Sequence, residues 1–239
     1  MKKEIKINYL LPNLFTASSI FVGIVSVINA TAGKFEKAGW LIVLSLILDG
    51  LDGKVARLTK GESQFGVEFD SLADVVAFGV APAMLIYFQI GYNFGKFGIL
   101  VAALYVVFGA IRLARFNVTK AKNDPNIFIG LPIPAAAIFL VSLSLLDLEY
   151  NLKIIEPIIL LLMLFVAILE VSNIRYPAFK KFSFKRSISF KILIILILIA
   201  SFLYLAPVET LVLFFVIYIF GGVIRAIFSL NRVKKFKKS

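Results

Sequence analysis

The stretch Leu48-Asp-Gly-Leu-Asp-Gly-Lys-Val-Ala-Arg57 closes an apolar run over residues 38–58. A run of that length is near the ~20 residues an α-helix needs to cross a bilayer, yet its second half carries two aspartates three positions apart. Seven runs of similar length accompany it, at 13–32, 69–91, 97–116, 131–148, 154–172, 189–206 and 208–228. The pattern predicts an all-α, polytopic integral membrane protein of about eight transmembrane helices, forming a single membrane domain over residues 1–239. Composition agrees. Of 239 residues, 60% are hydrophobic and only 17% charged, with a mean hydropathy of +0.95, and that charge is too sparse to cover a soluble domain of this size.

The net charge of +12 could suggest nucleic acid, but the placement of the basic residues argues for a membrane and against nucleic acid as a partner. With residues 1–12 on the cytoplasmic side, only Lys34, Lys37, Lys96 and Lys153 of the 26 basic residues fall outside. That bias satisfies the positive-inside rule with both termini cytoplasmic, in a multi-pass protein of the cell membrane. A basic start followed by Ala30-Thr31-Ala32 resembles a signal peptide. Asn13, Thr16, Ser18 and Ser19 interrupt its apolar core, and its removal would leave an odd number of spans, so the first helix is expected to be retained.

Missing residue types narrow the chemistry. The chain has no Cys and no His, which excludes disulfides, thiolate nucleophiles, imidazole bases and His- or Cys-ligated metals. Acid–base or metal chemistry must run on oxygen ligands and on Asp, Glu, Lys, Arg or Tyr. Four of the six aspartates (Asp49, Asp52, Asp70 and Asp74) lie within one window of 26 residues.

The chain divides by texture. Up to about residue 140 the helices carry Gly, Ala, Ser and polar letters, as in Gly79-Val-Ala-Pro82, which allow close helix approach and leave room for a cavity. Beyond residue 154 they become dense in Ile, Leu and Phe. The catalytic part is therefore expected within 11–140, with helices over 154–228 as scaffold or dimer surface. Lys122-Asn-Asp-Pro125 breaks the chain after the fourth span. The basic stretch 175–186 reads as a cytoplasmic interfacial segment, and the terminal lysines 234, 235, 237 and 238 as an inside-orientation signal.

On a helix, Asp49 and Asp52 share a face, as do Asp70 and Asp74 on the next. The polar turn Thr59–Gln64 predicts an antiparallel hairpin that brings both pairs to one point at the cytoplasmic rim. Four carboxylates in a low-dielectric setting repel, and Lys54 and Arg57 cannot fully compensate them. Hard divalent cations such as Mg²⁺, Mn²⁺ or Ca²⁺ would, and a metal pair bridged by carboxylates suits transfer at phosphorus. Gly50, Gly53, Ala56 and Gly66 are small where a nucleotide or headgroup could lie, and Arg57 suits a diphosphate. A plain inter-helix polar network is the simpler alternative, and a divalent-cation transporter a sharper one. The acids lie near helix ends, whereas transporter sites favour the midplane.

The spacing Asp49-x2-Asp52-Gly53-x2-Ala56-Arg57-x8-Gly66-x3-Asp70-x3-Asp74 resembles the signature of the CDP-alcohol phosphatidyltransferase family. The resemblance implies a membrane enzyme that moves a phosphatidyl group from a CDP-linked lipid to an alcohol and releases CMP. It also implies a homodimer and two divalent ions per site, held by Asp49, Asp52, Asp70 and Asp74, with Asp74 deprotonating the acceptor hydroxyl. Gly53, Arg57 and Ser63 would contact the CDP portion, with Ala56 and Gly66 making room. Asn13 and Thr16 match a first-helix motif that faces the nucleotide.

Leu11-Pro-Asn-Leu-Phe-Thr16, Phe69-Asp-Ser-Leu-Ala-Asp74, Phe78-Gly-Val-Ala-Pro82, Gly109-Ala-Ile-Arg-Leu-Ala-Arg-Phe-Asn117 and Gly130-Leu-Pro-Ile-Pro-Ala135 look like the phosphatidylserine synthase branch of that family. Ala77 stands where many members carry Ser. The branch implies L-serine and CDP-diacylglycerol as substrates. Serine is a zwitterion, and Arg112 or Arg115 could clamp its carboxylate, with Asn117 nearby. Plain positive-inside anchoring is the alternative for both arginines. Glycerol 3-phosphate, inositol phosphate or a CDP-ether lipid remain open as other acceptors or donor, although a phosphorylated acceptor would want a denser basic cluster.

Overall fold

A computed structural model describes residues 7–59, 61, 63–119, 127–177 and 190–236. The Lys122–Pro125 interruption, most of the basic stretch 175–186, Lys237 and Lys238, and the first residues of the chain lie outside them. Helices dominate: α1 (Ile7–Thr31), α2 (Phe35–Thr59), α3 (Gln64–Asp74), α4 (Ala81–Gln89), α5 (Lys96–Thr119), α6 (Ile133–Tyr150), α7 (Glu156–Val171), α8 (Phe190–Leu205) and α9 (Pro207–Phe236). Each of the eight apolar runs overlaps this series, the third being divided between α3 and α4. Among the described residues six helical stretches are long and apolar enough to cross a membrane: Leu10–Thr31, Gln64–Gln89, Lys96–Thr119, Ile133–Tyr150, Lys153–Val171 and Pro207–Phe228. The other two runs differ for plain reasons. α2 carries Asp49, Asp52, Lys54 and Arg57 in its second half, and α8 is 16 residues long.

α6 is the hub. Every side chain from Ala136 to Leu145 is buried, so this part of the helix has no exposed face and is shared by two cores. One core joins α4, α5, α6, α7 and α9 through Tyr105, Phe139, Met163 and Ile219; the other joins α1, α2, α4 and α6 through Ile42, Phe78, Leu85 and Ile138. Small residues allow close approach, as expected within a membrane bundle. A β-carbon on Gly39 would come within 2.9 Å of Leu145, and one on Gly23 within 3.1 Å of the Ala77 backbone. α1 and α2 are joined by polar pairs, with Ser19 and Ser45 hydroxyls 2.7 Å apart and Ser26 donating to the Ala38 carbonyl at 2.8 Å. α8 is different: its described side chains, Ile197 to Leu205 among them, are exposed and apolar.

Two features escape the helical reading. Ile127–Ile129 (β1) and Arg175–Pro177 (β2) pair antiparallel, with Phe128 opposite Tyr176. Arg175, expected in an interfacial segment, thus belongs to a small two-stranded sheet. The second feature is a π-helical turn, Val75–Val80, between α3 and α4. Pro82 explains part of it. Lacking an N–H, it cannot bond back to the carbonyl of Phe78 four residues earlier. The Tyr105 hydroxyl from α5 donates to that carbonyl instead, at 2.9 Å. The turn begins directly after Asp74, so it sets the register between the acids and the buried helix that follows.

Candidate active site at an acidic helix junction

Asp49 on α2 and Asp70 and Asp74 on α3 bring carboxylate oxygens within 4.8 Å of one another. One oxygen each of Asp49 and Asp74 is buried without a hydrogen-bond partner. Orphaned oxygens on converging acids are the donor set that a hard divalent cation satisfies. The chemistry of these residues therefore fits such an ion.

The junction is built differently from the hairpin expected. α3 packs chiefly against α1, and α1 in turn packs along α2. The acids of α2 and α3 thus face each other across a junction floored by α1. Gly66 marks the close contact: a β-carbon there would lie 3.3 Å from Asn13 Oδ1 and 3.2 Å from Ser63 Oγ. Ser63 caps α3, its hydroxyl accepting from the Gly66 N–H at 3.0 Å, the standard satisfaction of an orphan helix-end donor. Asn13 and Ser63 therefore flank the same glycine.

Asp52 carries an additional tie to α1, while its charge also acts on Asp49. The Thr16 hydroxyl on α1 donates to its Oδ2 at 2.7 Å, and the residue is buried. Two pairs meeting at one point are expected; three carboxylates lie within 4.8 Å of one another, and the fourth, near enough for its charge to act on Asp49, also takes a bond from α1. The physical reason is that α1 packs along α2, so the Thr16 hydroxyl meets Asp52 on the helix face that it shares with Asp49. Gly50 and Gly53 open outward, with no atom within 4 Å of where their β-carbons would sit. Ala56 is partly buried on the same helix, and exposed Arg57 donates from Nε to the Gly53 carbonyl at 3.0 Å. A flat, small-residue helix surface thus borders the acids.

The three residues weighed for an acceptor separate clearly. Arg115 spends its terminal nitrogens on the backbone. It donates to the carbonyls of Val171 (2.9 Å), Ser172 (3.0 Å), Ile129 (3.2 Å) and Glu170 (3.3 Å). It is a clamp on the C-terminal end of α7, where a cation and donors are favoured. Asn117 donates to Ser71 Oγ at 3.0 Å and to Glu68 Oε2 at 3.2 Å, joining α5 to α3 beside Asp70. Arg112 lies within the field of the acids. It is 5% exposed, lies 5.6 and 5.7 Å from the ring centres of Phe116 and Phe128, and feels the charges of Asp74 and Glu170.

Beyond residue 140 the sequence reading expected only scaffold. The structure brings Glu170 of α7 and Tyr218 of α9 into the electrostatic surroundings of Arg112. One signal was present: Glu170 is the second of two acids in the apolar run over 154–172, thirteen apolar or proline residues after Glu156, and charges inside membrane helices are rarely idle.

Comparison with known proteins follows the same outline. Residues 9–169 match the CDP-alcohol phosphatidyltransferase family. A protein of Helicobacter pylori (strain J99) is 51% identical over 227 residues, which cover 94% of each chain; it is named CDP-diacylglycerol–serine O-phosphatidyltransferase. Proteins with the same name are 39% identical in Methanocaldococcus jannaschii (67% of this chain, 74% of that one) and 37% identical in Bacillus subtilis (73% and 93%).

Proposed function

This chain belongs to the CDP-alcohol phosphatidyltransferase family, and on that premise we propose that it transfers a phosphatidyl group from CDP-diacylglycerol to the hydroxyl of L-serine, giving phosphatidylserine and CMP. The observation that carries the reading is the carboxylate cluster of Asp49, Asp70 and Asp74 beside the open backbone of Gly50 and Gly53, in a chain 51% identical over nearly its whole length to a protein named for that reaction.

Asp49, Asp52, Asp70 and Asp74 would hold a pair of divalent cations, Mg²⁺ or Mn²⁺, which supply neutralisation of the diphosphate and of the leaving oxygen. The protein does the rest by position. Gly50, Gly53 and Ala56 let the cytidine diphosphate approach α2, Arg57 faces its phosphates, and Asn13, Ser63 and Gly66 line the far wall. Thr16 fixes Asp52. Arg112 takes the serine carboxylate as a bidentate partner. Asp74, on the side Arg112 faces, accepts the proton of the serine hydroxyl as that oxygen attacks phosphorus. CMP then departs.

We further assign the protein to the cell membrane with eight spans, both termini and the active site cytoplasmic, on the strength of its basic-residue bias. The exposed apolar face of α8 is available to lipid or to the second copy of a homodimer.

Detergent-purified protein supplied with CDP-diacylglycerol and a divalent cation tests the reaction. CMP release that requires L-serine is the expected result. Release driven equally by glycerol 3-phosphate or inositol phosphate would overturn the acceptor, and metal flux into proteoliposomes without CMP release would overturn the enzyme.

A further inference from the structure

Glu170 is wholly buried at the C-terminal end of α7, and neither of its carboxylate oxygens has a hydrogen-bond partner. Its Oε2 faces α5, 3.5 Å from where a β-carbon on Gly109 would sit. Gly109 lies one turn before Arg112 on the same helix face. The Arg112 guanidinium is held against Phe116 and Phe128 with its Nε also unpartnered. A third orphan, the buried hydroxyl of Tyr176, lies on β2 opposite Phe128. A carboxyl group and a guanidinium therefore stand near each other, each with unused hydrogen-bonding capacity in a buried, low-dielectric place.

Unsatisfied buried charges are costly and call for a polar partner. The missing partners have opposite signs and are close together, which matches an α-amino acid: its carboxylate completes the arginine, its ammonium completes the glutamate. A phosphorylated alcohol brings a second anion toward Glu170 and no cation, so the same charge that welcomes an amino acid repels it. Resting on the serine reading above, we infer that Glu170 is a specificity-determining residue that receives the acceptor's ammonium group while Arg112 receives its carboxylate.

The test compares L-serine with 3-hydroxypropanoate, which is serine without the amine, on the purified full-length protein and on Glu170→Gln. In Glu170→Gln, kcat/KM for serine falls roughly 10- to 100-fold, mainly through KM, as expected when a buried charge loses its ligand. The inhibition constant of 3-hydroxypropanoate stays the same or tightens, because that ligand never used Glu170. Arg112→Gln, in contrast, weakens both ligands. Equal weakening of serine and 3-hydroxypropanoate in Glu170→Gln would make Glu170 merely a support for Arg112 and overturn the inference, as would an unchanged serine KM. Should Glu170→Gln fail to fold, Glu170→Asp keeps the charge on a shorter stem: a raised serine KM with unchanged 3-hydroxypropanoate inhibition upholds the inference, and parallel changes sink it. A wild-type protein that does not use serine would overturn the proposed function itself. Serine turnover with unaltered discrimination in the variant sinks only the role of Glu170.

Discussion

The Thr16 hydroxyl donates to Asp52 Oδ2 at 2.7 Å, linking α1 to α2. It holds one aspartate against α1 while Asp49, one turn earlier, meets Asp70 and Asp74. Thr16→Val keeps the side-chain shape and strips the donor, leaving a buried carboxylate short of a partner at a cost of about 1–3 kcal/mol. The expected outcome is a lower melting temperature and reduced kcat, both restored by Thr16→Ser. Thermal unfolding in detergent and CMP release read the two effects.

Removing a charge from the converging acids has a different signature. Asp74→Asn is expected to abolish turnover while the protein still purifies as folded. Asp49→Asn leaves partial activity whose half-saturating Mn²⁺ or Mg²⁺ concentration rises at least about tenfold, one lost carboxylate ligand weakening a hard-ion site. Chelation by EDTA stops the wild type, and added cation restores it. Wild-type activity in Asp74→Asn would remove that residue from the reaction.

Tyr105→Phe tests the π turn. Without the hydroxyl, the Phe78 carbonyl that Pro82 already deprives of its helical partner is left unpaired in a buried core. A loss of about 1–3 kcal/mol is expected, visible as a fall in melting temperature. Because the turn starts at the residue after Asp74, activity should fall further than the stability loss accounts for. Equal activity per folded molecule would show that the register of α4 does not reach the site.

Gly130→Ala is predicted to be more damaging than its size suggests. Gly130 has φ +79°, and a β-carbon there would come within 2.1 Å of the Glu170 carbonyl and 2.8 Å of an Arg115 nitrogen. Both strain and collision fall on the Arg115 clamp. Poor yield and early unfolding are expected, with Arg115→Ala producing a milder version. Size-exclusion profiles and melting curves compare the pair.

Much of this was legible in the letters because it is local. Eight apolar runs and the basic-residue bias required only hydropathy and counting. The four aspartates stood out because acids are scarce in so apolar a chain. What could not be read was which neighbour each side chain meets. Arg112 and Arg115 looked equivalent three residues apart, yet one lies in the field of Asp74 and the other grips the end of α7. Asp49 and Asp52 looked like a pair, and nothing in the letters showed that Asp52 also takes a bond from Thr16 on α1. The strand pairing of β1 with β2 joins segments almost 50 residues apart, and each is too short to show alternation.

The sequence by itself determined the solvent this protein lives in, its helical class and the oxygen-ligand chemistry, since hydrophobicity and residue type act at each position without reference to the fold. The tertiary structure decided the partners. Helices in lipid gain nothing from burying apolar surface against one another, so their arrangement rests on small-residue contacts, polar pairs and caps contributed from distant segments. That is why Thr16 reaches Asp52, why Tyr105 completes the turn after Asp74, and why Glu170, far along an apolar run, comes to lie beside Arg112.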